Sequence, residues 1–328
     1  RMDPAAAHDP VLGRTYVWSG YGAGGEPPAD LWAWTGDAWQ LVGTGPERRI
    51  GSSMAYDSTR QRTVLFGGSK WSNGNRGERV DTWEWDGFGW ARRATSGPPP
   101  RSRTAMAYDP GRQRMVLFGG IGSPGTLNDT WLWDGQSCTE MNIPAANRPS
   151  GRFDHALAYS AELGGIVFYG GQVGASYPSD VWLLGDSTWT LLTSQGPAGR
   201  ANLSMTDDVG SGVLVCGGWG GPGESGLVRF FGGAFAQLAR PGDGTTCFYQ
   251  DDRIVHVSRR ATVVAFDAPT GNSYALDNNQ WSALLPGGLP TRIESNLAAD
   301  PMGAVLFSGR LNTNASTAYD DTWVIGHD

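Results

Sequence analysis

The chain repeats one alternation of apolar and polar positions along most of its length. Short apolar runs that end in paired glycines recur as TVLFGG (63–68), MVLFGG (115–120), IVFYGG (166–171) and VLVCGG (213–218). The second glycines of these runs are 52, 51 and 47 residues apart, and similar runs end at Gly20 and Gly309. Recurrence of the same run at intervals of about 50 residues predicts a supersecondary unit that is repeated along the chain.

Two further recurring positions, here called the first and second marks, follow the glycine pairs and are tryptophan in most units. They extend the count of repeats over the whole chain. TWEW (82–85) alternates with the period of two that predicts a half-buried strand, and the DG after it predicts a hairpin turn. The first mark stands at Trp32, Trp83, Trp131, Trp182, Val228, Tyr274 and Trp323, and a second stands seven positions later at Trp39, Trp90, Cys138, Trp189, Phe235 and Trp281. These marks define seven units, each predicted to hold four short strands.

Composition agrees with a large all-β domain and limits the classes of partner that we expect. The 328 residues include 49 glycines and 15 tryptophans, and only 17% of the residues are charged, which favours many turns over long helices. The net charge is −7 and Lys70 is the only lysine, so we expect no nucleic-acid partner. No run of about 18 apolar residues is present, so we expect no membrane span. The sequence does not assign a cellular compartment.

The glycine pairs and the two marks resemble Kelch repeats, which fold as β-propellers. The resemblance covers nearly the whole chain and is strongest in units two to four. It implies one seven-bladed propeller with four-stranded blades and, we expect, a monomer. The expected blades are approximately 1–45, 46–97, 98–146, 147–196, 197–241, 242–287 and 288–328. The last is expected to lack its outer strand, with the chain termini meeting in it.

Variable connections and a recurring arginine point to one face of this propeller. With the four strands of a blade lettered a to d in chain order, the b–c connection and the d–a connection to the next blade share a face. Here these connections differ in length and chemistry, as expected where function is placed. Arginine recurs at one register on that face, at Arg49, Arg101, Arg152, Arg200 and Arg292. One hypothesis is an anion-binding collar, because guanidinium binds carboxylate, sulfate or phosphate in a bidentate manner. The alternative is that these arginines belong to the repeat consensus and bond the blade backbone.

Two positions after these arginines, the sequence offers candidate acid and base groups. Asp154 and Glu294 occupy this register, and His155 follows Asp154. Either carboxyl is a candidate general acid or base. The alternatives are salt bridges to neighbouring arginines and, for His155, a structural hydrogen bond.

Further binding candidates follow the glycine pairs. They are Tyr21, Trp71 in the longest loop, Trp219 and Arg310. An aromatic side chain in a loop can stack on a sugar ring or pack against a partner side chain. We therefore include these four residues in the predicted ligand-binding set.

No metal or cofactor is expected. The three cysteines have no CxxC spacing, and the four histidines, His8, His155, His256 and His327, are spread over distant units. Copper oxidases that share the Kelch-type fold need two histidines, two tyrosines and a cysteine, which these positions do not supply. The sequence also lacks a P-loop, an HExxH and a GxSxG segment.

Two functional hypotheses remain open from the sequence. The first is a binding propeller that recognises a protein segment, a glycan or an anionic small molecule on the b–c and d–a face. The second is a metal-independent isomerase, cyclase or lyase that acts on an anionic small molecule, with Asp154 or Glu294 moving a proton. An enclosed cavity with convergent polar groups would favour the enzyme, and an open surface would favour the binding module.

Overall fold

The fold is taken from a computed structural model of the chain. The structure describes residues 4–20, 28–35, 38–72, 75–123, 125–208, 212–220, 227–238, 253–257, 262–267, 272–277, 280–285, 296–300, 303–307 and 322–326. Side-chain positions are described within these ranges except at residues 71–76 and after residue 238, where only Tyr274, Leu276 and Ser282 are described. Tyr21, Arg292, Glu294 and Arg310 therefore lie outside the described residues, and so does the side chain of Trp71.

The described chain forms antiparallel sheets in sequence order. The first sheet consists of β1 (Ala5–Asp9), β2 (Arg14–Trp18), β3 (Asp30–Trp34) and β4 (Trp39–Thr44). The second contains β5 (Ser53–Asp57), β6 (Arg62–Phe66), β9 (Thr82–Trp85) and β10 (Trp90–Ala94), and between β6 and β9 the chain makes a ribbon of β7 (Ser69–Ser72) and β8 (Asn75–Glu78). The third consists of β11 (Ala105–Asp109), β12 (Arg114–Phe118), β13 (Thr130–Trp133) and β14 (Cys138–Glu140), and a 3₁₀ turn at Ala145–Asn147 follows it.

The remaining sheets continue this order. The fourth consists of β15 (Phe153–Ser160), β16 (Gly165–Gln172), β17 (Val181–Leu184) and β18 (Trp189–Thr193). The fifth consists of β20 (Ser204–Asp207), β21 (Val213–Cys216), β23 (Val228–Phe231) and β24 (Ala234–Gln237), with a small ribbon of β19 (Arg200–Ala201) and β22 (Trp219–Gly220) beside it. The sixth consists of β25 (Arg253–Val257), β26 (Thr262–Asp267), β27 (Asn272–Asp277) and β28 (Gln280–Leu285), and the last of β29 (Asn296–Asp300), β30 (Gly303–Phe307) and β31 (Thr322–Gly326).

The first strands of successive sheets lie side by side around a ring. Each of β1, β5, β11, β15, β20 and β25 contacts the first strand of the next sheet, and β29 contacts β1. Because neighbouring strands within a sheet are antiparallel, successive connections lie at alternate ends of the ring. Ser53 pairs with Phe66 and Ala105 with Phe118, so the start of each first strand and the end of each second strand share one end. The uneven b–c connections lie at that end, and the short a–b and c–d turns lie at the other.

Paired glycines mark the points where one sheet meets the backbone of the next. Gly119 and Gly120 have φ values of +62° and +97°, in the left-handed region that favours glycine. Gly120 N–H donates to the carbonyl of Arg152 in the next sheet, with N and O 2.9 Å apart. A Cβ on Gly119 would lie 2.7 Å from that carbonyl oxygen. The glycine mark is therefore a requirement of both backbone conformation and close approach between sheets.

Aromatic side chains fill the space between neighbouring sheets. Between the first two sheets, Tyr16 packs edge-on to Trp85 and Trp18 edge-on to Trp90, with centroids 6.0 and 5.6 Å apart. Between the third and fourth, Trp189 packs on Phe118 and Phe168, with centroids 5.5 and 5.8 Å from theirs. Trp90 and Trp189 are second marks, so these contacts assign that position to the packing between sheets, where an aromatic side chain buries on the order of 150–250 Å².

At Cys138 the second mark is a small side chain, and the packing changes. In the fourth sheet Trp189 donates its indole N–H to Thr130 Oγ1 of the third sheet, with N and O 2.8 Å apart. Cys138 occupies the equivalent position facing Thr82 of the second sheet, with Sγ and Oγ1 3.8 Å apart. A cavity of about 20 Å³ adjoins Cys138 and is lined mainly by apolar side chains such as Met106 and Trp133.

The structure confirms the all-β propeller prediction. In the described residues six sheets have four strands and the last has three, and no α-helix is present. The blade count of the whole chain, the blade boundaries and the meeting of the termini stay predictions.

Candidate functional site

Three of the recurrent arginines, Arg49, Arg101 and Arg152, lie inside their blades, each paired with an aspartate. Arg101 donates from Nη1 and Nη2 to the two oxygens of Asp129, both at 2.6 Å, and from Nη1 to the carbonyl of Gly119 at 3.0 Å. Asp129 also accepts the indole N–H of Trp131 at 2.6 Å. The same arrangement is made by Arg49 with Asp81 and Trp83, and by Arg152 with Asp180 and Trp182.

These pairs are buried and hold their carboxylates ionised. The exposed fraction of Arg101 is 0% and that of Asp129 is 14%. Burial by itself raises the pKa of Asp129, but the hydrogen bonds and the charge of Arg101 together with the Trp131 N–H hold the pKa below its ordinary value. The pKa values of Asp81 and Asp180 are lowered in the same way. Each pair ties the d–a connection to the end of strand b and the start of strand c.

The collar hypothesis has the recurrent arginines bind an anion, and the structure shows which protein groups they bond. Arg49, Arg101 and Arg152 direct their guanidinium groups to partners in their own blades, and Arg200 donates to the carbonyl of Gly217 at 3.0 Å. All four are at most 2% exposed. The alternative of backbone bonding therefore describes the contacts observed. Ligand binding by these four residues stays a prediction, as it does for Arg292.

Two positions after the arginines, four residues form a continuous arc around the ring, here called the inner arc: Gly51, Arg103, Asp154 and Asn202. Their φ values are +61°, +54°, +56° and +55°, respectively. Each of the last three donates its backbone N–H to the carbonyl of the preceding member, at 2.8, 3.1 and 2.8 Å. Three of the four are not glycine, and left-handed backbone in such residues is uncommon and concentrates at functional sites.

Arg103 and Asp154 form an ion pair across two blades within the inner arc. Arg103 donates from Nε to Asp154 Oδ1 at 2.8 Å and from Nη2 to Oδ2, and its guanidinium lies 4.3 Å from the ring centroid of Phe153. The side chain of Arg103 is 37% exposed and that of Asp154 14%. The structure thus gives Asp154 the salt bridge that was one of its two predicted uses. General acid or base chemistry by Asp154 or Glu294 stays a prediction.

His155 lies in the core. Its ring packs against Phe118 and Phe168, with centroids 5.5 and 5.0 Å away. Burial, followed by the charge of Arg152, lowers the pKa of His155 to about 3. The imidazole is therefore neutral at physiological pH, and a catalytic role for His155 stays a prediction.

One aromatic candidate has a described neighbour at the b–c end. Trp219 packs edge-on against Tyr177 from the connection of the fourth sheet, with centroids 5.7 Å apart. Both side chains are partly exposed. Ligand contact by Trp219, Tyr21, Trp71 and Arg310 stays a prediction.

In the part of the chain that the structure describes, no group of three or more His, Cys, Asp or Glu side chains is arranged to hold a metal ion. Over those same ranges, no helix has the length and apolar character that crossing a membrane requires.

Sequence reasoning missed Asp81, Asp129, Asp180 and Tyr177, and it did not single out Arg103 or Asn202 as binding candidates. A usable signal was present for the aspartates, since each stands two positions before its tryptophan mark. A salt bridge from Asp154 to a neighbouring arginine was one of its predicted uses, but the sequence did not identify Arg103, 51 residues away, as that arginine.

The chain is similar in sequence to parts of several known proteins. The chain is 31% identical over 146 residues to the dynein alpha chain of the flagellar outer arm from Chlamydomonas reinhardtii, covering 41% of this chain and 3% of that protein. It is 28% identical over 184 residues to Host cell factor 1 from Homo sapiens, covering 48% and 9%. It is 27% identical over 248 residues to tRNA wybutosine-synthesizing protein 4 from Emericella nidulans, covering 67% and 22%.

The match spans only a small part of each of these relatives. A family model described as the KLHDC2/KLHL20/DRC7 Kelch-repeats domain matches residues 7–218, which is more than half of the chain. With the repeated four-stranded sheets and their glycine pairs, this match shows that the chain belongs to the Kelch-repeat family.

Proposed function

We propose that this chain is a protein-binding Kelch propeller that recognises an extended protein segment at the inner-arc end of the ring. The observation that carries the proposal is the hydrogen bonding of the Arg103 guanidinium group. Its described hydrogen bonds to Asp154 use Nε and Nη2, and in the described part of the chain Nη1 has no such partner. The stack on Phe153 and the backbone bonds of the inner arc fix this guanidinium before any partner arrives.

A fixed, partly exposed guanidinium suits recognition of a carboxylate or a backbone carbonyl on a partner. Arginine is favoured at interface centres because its planar group makes directional bonds and loses little freedom when it is already held. The uneven connections at this end, including the β7–β8 ribbon and the Tyr177–Trp219 pair, supply side contacts of different chemistry. A protein segment can use such an open and varied surface.

The relatives support a binding role for this chain more than a catalytic role. Their names describe a dynein chain of the flagellar outer arm, a host cell factor and a tRNA wybutosine-synthesizing protein, and these names state no shared activity. A domain that recurs in such different proteins is more simply a recognition module than a catalyst, because function resides in the surface built on a fold. Glycan or small-molecule binding and a monomeric state remain the other outcomes to be tested.

Peptide selection on the purified chain tests the proposal. We expect 12-residue peptides selected on the wild-type protein to lose about tenfold or more in affinity for Arg103→Glu, because the substituted carboxylate repels both Asp154 and an acidic partner group. Arg114→Glu, at the opposite end of the third sheet, is the matched control and should bind the same peptides normally. Peptides that bind Arg103→Glu and the wild type equally, or the failure to select any peptide, would overturn the proposal.

A further inference from the structure

Two aromatic side chains form a corner at the inner-arc end of the ring, where the fourth and fifth sheets meet. Tyr177 lies in the b–c connection of the fourth sheet, and Trp219 lies in that of the fifth. The ring centroids are 5.7 Å apart, the ring planes are inclined at 69°, and both side chains are partly exposed. This pair is here called the aromatic corner.

The repeat does not require an aromatic side chain at Trp219. Trp219 pairs through its backbone with Ala201, the residue that precedes the inner-arc member Asn202. The residues that pair in the same way in the second, third and fourth sheets are Ser69, Ile121 and Gln172. Serine, isoleucine and glutamine are therefore compatible with the fold at this point, and a partly exposed tryptophan there is typical of a binding surface.

The aromatic corner is held in place before any partner binds. The Tyr177 ring lies against the backbone of Gly220, where an added Cβ would overlap Cε1 and Cζ of the ring. The connection that carries Tyr177 is closed by two backbone hydrogen bonds between Val173 and Ser176, both 2.9 Å long. A surface that is already ordered loses little conformational freedom when a ligand binds, which favours affinity.

Polar groups of the aromatic corner and of Asn202 suit the backbone of a polyproline II (PPII) segment. Among the residues that the structure describes, the Trp219 indole N–H, the Tyr177 hydroxyl and the Asn202 side-chain amide have no hydrogen-bond partner. A PPII segment makes no internal hydrogen bonds, so its carbonyls are free to accept such donors while its prolines pack on aromatic rings. These groups are mainly donors, whereas the hydroxyl groups of a sugar need acceptors as well. A PPII segment is therefore the better occupant.

The inner arc sets the distance between the aromatic corner and Arg103. Arg103, Asp154 and Asn202 are joined by successive backbone hydrogen bonds of 3.1 and 2.8 Å. Residues paired in this way have Cα atoms about 5 Å apart, so the arc covers about 10 Å from Arg103 to Asn202. A PPII segment rises about 3.1 Å per residue and covers this distance with about three or four residues.

We propose that the segment bound at the inner-arc end is a PPII segment with a proline in the aromatic corner and an aspartate or glutamate about three or four residues away, paired with Arg103. This inference rests on the function proposed above, because it names the class of segment that the same site binds. Trp219 and Tyr177 pack on the proline ring, and the Asn202 amide donates to a backbone carbonyl between the two anchors.

Selection of random 12-residue peptides on the purified chain tests this inference. We expect the selected peptides to share a proline and an acidic residue at this spacing. Replacing that proline with alanine should weaken binding to the wild type by about tenfold and binding to Trp219→Gln hardly at all, because both changes remove the same contact. Phe88→Gln is the matched control: it removes an aromatic side chain that is 86% exposed at the opposite end of the ring, and it should bind the peptides as the wild type does.

Trp219→Gln carries the residue that the fourth sheet already has at this point, so its unfolding midpoint should match that of the wild type. The comparison of proline and alanine peptides on the wild type does not depend on how that variant folds.

The outcomes separate this inference from the proposed function. Peptides that need Arg103 but share no proline, or that lose equal affinity for the wild type and Trp219→Gln when proline is replaced, would overturn the inference and leave the proposed function standing. Peptides that bind Arg103→Glu as well as the wild type, or the failure to select any peptide, would overturn both. A glycan that binds the wild type on an array but does not bind Trp219→Gln would also overturn the inference, because a sugar would then occupy the aromatic corner.

Discussion

Acidification below neutral pH should destabilise this protein through His155. The ordinary pKa of a histidine is about 6.5, and burial together with the charge of Arg152 lowers the pKa of His155 to about 3 in the fold. The unfolded chain therefore binds a proton at pH values where the folded chain does not. Stability is complete above about pH 6.5 and is lost as the pH falls toward 3.

The size of the effect follows from the shift. A difference of about 3.5 pKa units corresponds to about 5 kcal/mol across the whole range, at about 1.4 kcal/mol for each pH unit. About 2 kcal/mol of this should be lost by pH 5. The aspartates whose pKa values are lowered, such as Asp129, add a loss in the same direction but chiefly below the ordinary aspartate pKa of 3.8. The interval between about pH 6.5 and pH 5 therefore separates His155 from the aspartates whose pKa values are lowered. Burial raises the pKa of Asp207, which acts in the opposite direction, and comparison of the wild type with His155→Leu removes that contribution.

Urea unfolding followed by tryptophan fluorescence at several pH values measures this loss. His155→Leu replaces the imidazole with an apolar group that cannot be protonated, and its free energy of unfolding should be nearly flat between about pH 6.5 and pH 5. His8→Asn is the matched control, since His8 is only partly buried and its Nδ1 is hydrogen-bonded to Thr15 Oγ1 at 3.2 Å. Equal pH slopes for the wild type and His155→Leu would refute the reasoning, whatever their absolute stabilities.

Three further predictions test the packing. Gly119→Ala should cost more than Gly164→Ala in urea unfolding, because both have φ near +60° but only Gly119 meets a carbonyl oxygen at 2.7 Å, and equal costs would contradict that contact. Cys138→Trp should lower stability by about 1–3 kcal/mol, because a cavity of about 20 Å³ is far smaller than an indole, and an unchanged or higher melting temperature would contradict that reasoning. Arg101→Ala should cost about 3–5 kcal/mol by leaving the Asp129 carboxylate buried without its cation; a loss of ligand affinity in the folded fraction, with little loss of stability, would instead favour the collar hypothesis.

The sequence alone determined the repeat and the kind of sheet that each repeat makes. Alternation in segments such as 82–85 and the glycine pair of Gly119 and Gly120 are local properties, because strand period and left-handed backbone depend on neighbouring residues. Counting these marks therefore predicted the all-β propeller and the order of its strands.

Only the tertiary structure decided which side chains meet. Repeat counting placed Arg101 and Asp154 at a register, but their partners lie 28 and 51 positions away. The count does not choose between a ligand and another part of the propeller as the partner. The same holds for Tyr177 and Trp219, which become one aromatic corner because connections of two different blades meet. Contacts of this kind depend on how blades pack around the ring, since that packing sets both the distance between distant residues and the water each side chain retains.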